Sequence, residues 1–106
     1  MKIPPDCVQI RRGGLYLSVA TYDRYFAGLD TVVLLRREND LVILPVHHAA
    51  SGGYLLKRLS AAGDRVVFAP DFFREHGLED DFDGEFCVGW DSAQAALVAK
   101  TAFKAK

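Results

Sequence analysis

The sequence predicts a mostly β fold in a single domain covering residues 1–106, built from two tandem units of strand, short helix and hairpin. Three observations carry that expectation. Apolar runs rich in Val, Leu and Phe recur between turn residues, as in "LYLSVA", "TVVLLRR" and "RVVFA". Two of these runs lead into a brief amphipathic stretch that stops at Gly-Leu, once at Gly28-Leu29 and again at Gly77-Leu78. The order of signals also repeats: setting Gly28 on Gly77, 49 residues later, lays Val19-Ala20 on Phe68-Ala69 and Val32 to Leu35 close to 85–88.

Taken in order, residues 1–14 hold Pro4-Pro5 and Gly13-Gly14 and read as an irregular leader or an edge segment. "LYLSVA" is a strand, and "TYDRYFAGL" is one or two helical turns with Thr21 as N-cap and Gly28 as stop. "TVVLLRRENDLVILP" is a hairpin: Val32 to Leu35, a polar turn at Arg37-Glu38-Asn39-Asp40, then Leu41 to Leu44, closed by Pro45. In the second unit "RVVFA" is the strand and "PDFFREHGL" the helix, with Pro70 in its first turn and Gly77 at its end. "EFCVGWDSAQAALVA" is the second hairpin, turning near Asp91-Ser92. The repeats span 15–46 and 65–98. The linker 47–64 carries a joint at Ser51-Gly52-Gly53 and a segment, Tyr54 to Ala61, that fits helix or strand equally. "KTAFKAK" reads as a short frayed basic tail.

Half the residues are hydrophobic and a quarter charged, the composition of a folded domain. No apolar run approaches the ~20 residues a bilayer span needs, and the N-terminus lacks a signal-peptide core, so a cytoplasmic location is expected. Net charge is −1, which gives the whole molecule no field that attracts nucleic acid. The charge is uneven, however. Residues 1–66 carry nine Lys/Arg against six Asp/Glu, and residues 67–106 carry four against eight, with acids concentrated in "EDDFDGE". Such asymmetry fits self-association, a restricted basic face or plain solvated surface.

The segment "GDRVVFAPDFFREHGLEDDFDGEFCVGWDSAQAALV" resembles the AbrB/MraZ swapped-hairpin family. The matching features are Asp64-Arg65, the strand Val66 to Ala69, Pro70, the helix arginine Arg74, Gly77-Leu78 and the hairpin from Glu85 to Val98. The first half is a looser copy, with Thr21 where the proline stands and Arg24 as helix arginine; Asp64 occupies the place of a glycine. Tandem copies in one chain are the MraZ arrangement. The resemblance implies a β-barrel with short helices. One unit buries only one sheet face, and two must interleave to close a barrel and satisfy the strand edges.

The resemblance further implies an oligomeric, non-enzymatic DNA-binding transcriptional regulator, a dimer or higher assembly. Its candidate nucleic-acid contacts are Arg36, Arg37, Lys57, Arg58 and Arg65, with Arg11-Arg12 as possible additions. Phosphate contact needs several cations on one face. Composition by itself favours ordinary solvated arginines, since the net charge is negative and no aromatic–basic interleaving is visible. The alternative is an accessory module that holds a protein partner without binding DNA.

No metal or cofactor is expected. His47 and His48 are adjacent, so in extended chain they point opposite ways, and neither C-x-x-C nor H-x-x-x-H spacing occurs. Glu79, Asp81 and Asp83 imitate the first half of a calcium loop, but Trp90 stands where its last acidic ligand belongs. Ser18, Ser51, Ser60 and Ser92 lie in no nucleophile elbow. Cys7 and Cys87 are expected as two reduced, partly buried thiols. Tyr22, Tyr25, Phe26, Phe72, Phe73 and Phe82 read as barrel plugs and interface anchors, and Trp90 as a residue that a neighbouring chain covers.

Overall fold

Alternation of apolar and polar residues turns one face of each strand inward. In the computed structural model, which describes residues 3–47 and 53–103, that pattern yields nine strands and two short helices among the described residues. The first unit is β1 (Cys7–Arg11), β2 (Gly14–Leu17), α1 (Val19–Tyr25), β3 (Thr31–Arg37) and β4 (Asp40–Pro45). The second is β5 (Tyr54–Leu55), β6 (Lys57–Arg58), β7 (Arg65–Phe68), α2 (Pro70–Glu75), β8 (Asp83–Asp91) and β9 (Ala96–Ala99). Strand, helix and hairpin recur in the same order in both halves, and together they form a nearly closed antiparallel β-barrel.

Neighbouring strands run β5-β3-β4-β9-β8-β1-β2-β7-β6. The two terminal strands of this sheet, β5 and β6, are separated in the chain by Leu56 alone, so its open edges meet there. Leu56 is only 5 % exposed, and its N–H donates to the Asp30 carbonyl at 2.8 Å. The seam thereby satisfies edges that would otherwise offer unpaired backbone groups.

Pairing follows an internal twofold pattern. β2 pairs with its counterpart β7, and β4 with its counterpart β9. The leading strand of each unit pairs with the first hairpin strand of the other: β1 with β8, and β5 with β3. The turns that follow the leading strands obey the same rule. Gly13 (φ +76°) would carry a Cβ 2.7 Å from the Pro70 side chain at the start of α2. Gly63 (φ +106°) would carry one 2.8 Å from Val19 at the start of α1. Both positions require a left-handed backbone and leave no room for a side chain.

One cluster fills the barrel. Val8, Ile10, Leu15, Leu17, Val32, Leu34, Leu41, Ile43, Val67 and Leu97 point inward from the strands, and Tyr22, Phe26 and Phe73 enter from the helices. Each such Leu, Ile or Phe contributes about 1.5–3 kcal/mol on burial, which explains how helices of six and seven residues persist.

Several expectations require correction. Residues 7–11, placed in an irregular or edge leader, form a strand flanked by β8 and β2. Pro4-Pro5 sit just ahead of β1, and the Pro4 carbonyl accepts from Cys7. The strand "LYLSVA" ends at Leu17, because Ser18 rather than Thr21 caps α1: its hydroxyl accepts from the Thr21 N–H at 3.2 Å. Thr21 is buried and donates to the Pro5 carbonyl at 2.6 Å. Within the linker, Tyr54–Leu55 and Lys57–Arg58 are strands that close the barrel. The tail is anchored through Phe103, which is buried and whose N–H donates to the Asn39 carbonyl. Its last residues, 104–106, lie outside the described residues, as do His48, Ser51 and Gly52. The hairpin turns stand where expected, at Glu38-Asn39 and at 92–95.

Candidate nucleic-acid interface

The five cations singled out in the sequence fall into two groups. Arg58 and Arg65 come together because β6 pairs with β7 and sets them directly opposite each other, while Lys57, opposite Val66, neighbours Arg58 in the chain and projects from the other face of the strand pair. Arg36 and Arg37 end β3 at the first hairpin turn. β5 meets β3 at Thr31–Val32, and the chain from Leu55 to Arg58 runs away from that turn. The advance from Thr31 to Arg37 alone is about 20 Å at strand spacing. The two groups therefore do not share one corner of the subunit.

Like charges placed opposite each other across a strand pair repel, and the corner at β6–β7 relieves this with neutral acceptors. Arg58 donates through Nε to the Ser60 carbonyl at 3.1 Å and through Nη2 to the Ala61 carbonyl at 2.8 Å. Arg65 donates to the Gly63 carbonyl, and its guanidinium lies over the Tyr22 ring, 3.9 Å from the centroid. The neighbouring carboxylate of Asp64 accepts from the Val19 N–H at 2.9 Å at the start of α1. Among the described residues the only ion pairs are those of Arg74 with Asp71 and Asp80. The three cations of the corner thus keep their positive charge uncompensated by a salt bridge.

The other basic pairs are answered by acids or used in folding. Arg36 donates to the Glu38 carbonyl at 2.6 Å, reaches the Asn39 side chain at 3.4 Å and covers the Phe103 ring, which locks the turn. Arg37 stands opposite Asp40 in register. Asp91 is held below the ordinary carboxylate range by the Gln94 side-chain hydrogen bond first, then by the Gln94 and Ala93 N–H groups and the Arg37 charge. At the β1–β2 turn, Arg11 and Arg12 line a shallow concavity together with Asp81 and Asp83. The acidic run Glu79–Glu85 folds against that turn, and Arg12 N–H donates to the Phe82 carbonyl.

Two arrangements were not visible in the sequence. Trp90, 40 % exposed, stacks on Tyr25 at 5.4 Å between centroids and 3° between planes, and the Arg24 guanidinium lies 5.3 Å from the Tyr25 centroid. Cys7 and Cys87, 80 positions apart in the chain, stand directly opposite each other as free thiols. Trp90 lies near the end of β8 and Tyr25 ends α1, so only the tertiary fold joins them. His47 is exposed after β4, and His76 packs against the Phe72 and Phe103 rings. Among the described residues no three His, Cys, Asp or Glu side chains are grouped to hold a metal, and no helix is long and apolar enough to cross a membrane. Compared with protein-family models, curated proteins and solved structures, the chain matches none.

Proposed function

We propose that the chain is a non-enzymatic, oligomeric DNA-binding regulator of the AbrB/MraZ type, which engages phosphates through Lys57, Arg58 and Arg65. The observation that supports this reading is the corner at β6–β7, where Arg58 and Arg65 lie side by side, with Lys57 next along the strand, and none of the three has a salt-bridged acid among the described residues. Guanidinium groups already oriented by backbone carbonyls lose less freedom when they meet a phosphate, and Arg presents further N–H donors for it. Three cations hold DNA weakly. A twofold dimer doubles the count to six phosphate contacts, which is enough for salt-sensitive binding. Arg36 and Arg37 are secondary in this reading, because one closes its own turn and the other faces Asp40 and Asp91.

Binding of labelled duplex DNA, followed by fluorescence anisotropy at low salt, tests the proposal. Replacing Lys57 and Arg58 together by Ala weakens binding by at least about tenfold, the loss expected for two charge-assisted contacts. Replacing Arg37 alone by Ala changes it far less. Absence of any association by the unmodified protein removes the reading.

A second reading, a module that holds a protein partner, is favoured by apolar side chains around the same seam: Leu55 is 56 % exposed, Leu59 43 % and Phe68 53 %. On that reading a partner recovered from native lysate is lost when Leu55 and Leu59 are both replaced by Ser, while Lys57→Ala with Arg58→Ala retains it.

A further inference from the structure

We propose that Cys7 and Cys87 form a redox modification site: a dithiol that a small-molecule disulfide converts reversibly into an intrachain bond joining β1 to β8. The register sets the two residues directly opposite each other. Hydrogen bonds on the same strand pair fix which kind of opposition this is. Val88 N–H donates to the Asp6 carbonyl at 2.9 Å, and farther along the ladder Arg12 N–H donates to the Phe82 carbonyl at 3.3 Å. Bonded pairs alternate with unbonded ones in an antiparallel ladder, so Cys7 and Cys87 occupy an unbonded pair. Consistently, the Cys7 N–H is turned to the Pro4 carbonyl at 3.1 Å instead of across the ladder. Cα atoms in such pairs are about 4.5 Å apart, within the roughly 4.4–6.8 Å that disulfides accept.

Accessibility divides the roles. Cys87 is exposed and Cys7 half-buried. The exposed Cys87 therefore reacts first, as a thiolate; burial also raises the Cys7 pKa, with Cys87, Glu85 and Asp6 adding in the same direction. The Cys87 thiolate attacks one sulfur of the small disulfide, forming a mixed disulfide and releasing one thiolate, which takes up the Cys87 proton. Cys7 then loses its proton and attacks the Cys87 sulfur, which expels the second small thiol. Two protein thiols are oxidised by two electrons, and one small disulfide is reduced to two thiols. The product is exposed to solvent, the class of disulfide that reductants reopen readily. It ties the leading strand of the first unit to the hairpin of the second.

Purified protein titrated with oxidised glutathione, read by intact mass, thiol reactivity and melting temperature, tests the site. The unmodified protein becomes about 2 Da lighter, keeps no glutathione, loses both reactive thiols and melts at a higher temperature, and dithiothreitol reverses all four changes. Cys7→Ser stops at a glutathione adduct on Cys87, because the resolving thiol is gone. Either a stable adduct on the unmodified protein, chain-to-chain dimers, or two thiols that survive excess oxidant overturns the proposal. None of these readouts depends on DNA binding.

Discussion

Leu56→Ala tests how the barrel is closed. Leu56 is the sole residue between the terminal strands of the sheet, it is 5 % exposed, and it belongs to the central hydrophobic cluster. Truncating a buried Leu to Ala costs about 2–5 kcal/mol, the spread reflecting how far the surroundings collapse into the vacated space. Here β5 and β6 are each paired over only two residues, to β3 and β7, so they can shift inward, and a value near 3 kcal/mol is expected. For a domain of this size that lowers the melting temperature by on the order of 15 °C. It also removes a large fraction of a typical total stability of about 5–15 kcal/mol. The control is next door: Leu55, 56 % exposed, changes stability by less than about 0.5 kcal/mol when replaced by Ala. Urea unfolding followed by circular dichroism gives both numbers, and hydrogen exchange at the Leu56 amide, bonded to the Asp30 carbonyl, reports local opening. Equal, small effects of the two substitutions would refute the seam.

Other outcomes follow from the same contacts. Ser18→Ala removes the hydroxyl that accepts from the Thr21 N–H and costs about 1 kcal/mol by denaturant unfolding. Phe103→Ala costs about 3–5 kcal/mol, because the ring is buried under Arg36 and belongs to the core; a frayed tail would give no change. Asp91 accepts from the Ala93 and Gln94 N–H groups and its pKa is lowered in the folded protein. Its support of the second hairpin turn is therefore complete above the ordinary carboxylate pKa of about 3.9 and is lost as pH falls through the lowered value. Amide exchange at Ala93 and Gln94, corrected for intrinsic rates, should lose protection in that acidic window and not above it. Asp91→Asn should abolish the pH dependence.

Local punctuation made much of this fold legible. Pro70 at the start of α2, Gly77 (φ +90°) after it and Gly28 (φ +80°) after α1 act within a turn of their own residues, so sequence order and structural order coincide. β1 was hidden for the opposite reason. Its five residues run from just after a Pro-Pro pair into the first arginine of an Arg-Arg-Gly-Gly turn, signals that read as loop, and its strand character comes from pairing with β8, which begins 72 positions beyond the last residue of β1. β5 and β6 are too short for periodicity to decide, and only the partners on either side of Leu56 make them strands.

The candidate interface divides in the same way. The cations themselves are read directly from the chain, but their separation is not. Arg58 and Arg65 become neighbours through the β6–β7 pairing, whereas Arg11 and Arg12 acquire Asp81 and Asp83 through the fold of the acidic run. The opposition of Cys7 and Cys87 is likewise a matter of register, which a one-residue slip would destroy by turning every side chain of β1 to the other face.

The salt dependence of DNA affinity addresses the proposed role most directly. A dimer that uses Lys57, Arg58 and Arg65 on each subunit should give a logarithmic slope near −5, about −0.9 for each of six phosphate contacts. Lys57→Ala should reduce that slope by about two, one contact per subunit. A salt-independent signal, or a slope unaltered by Lys57→Ala, would contradict it.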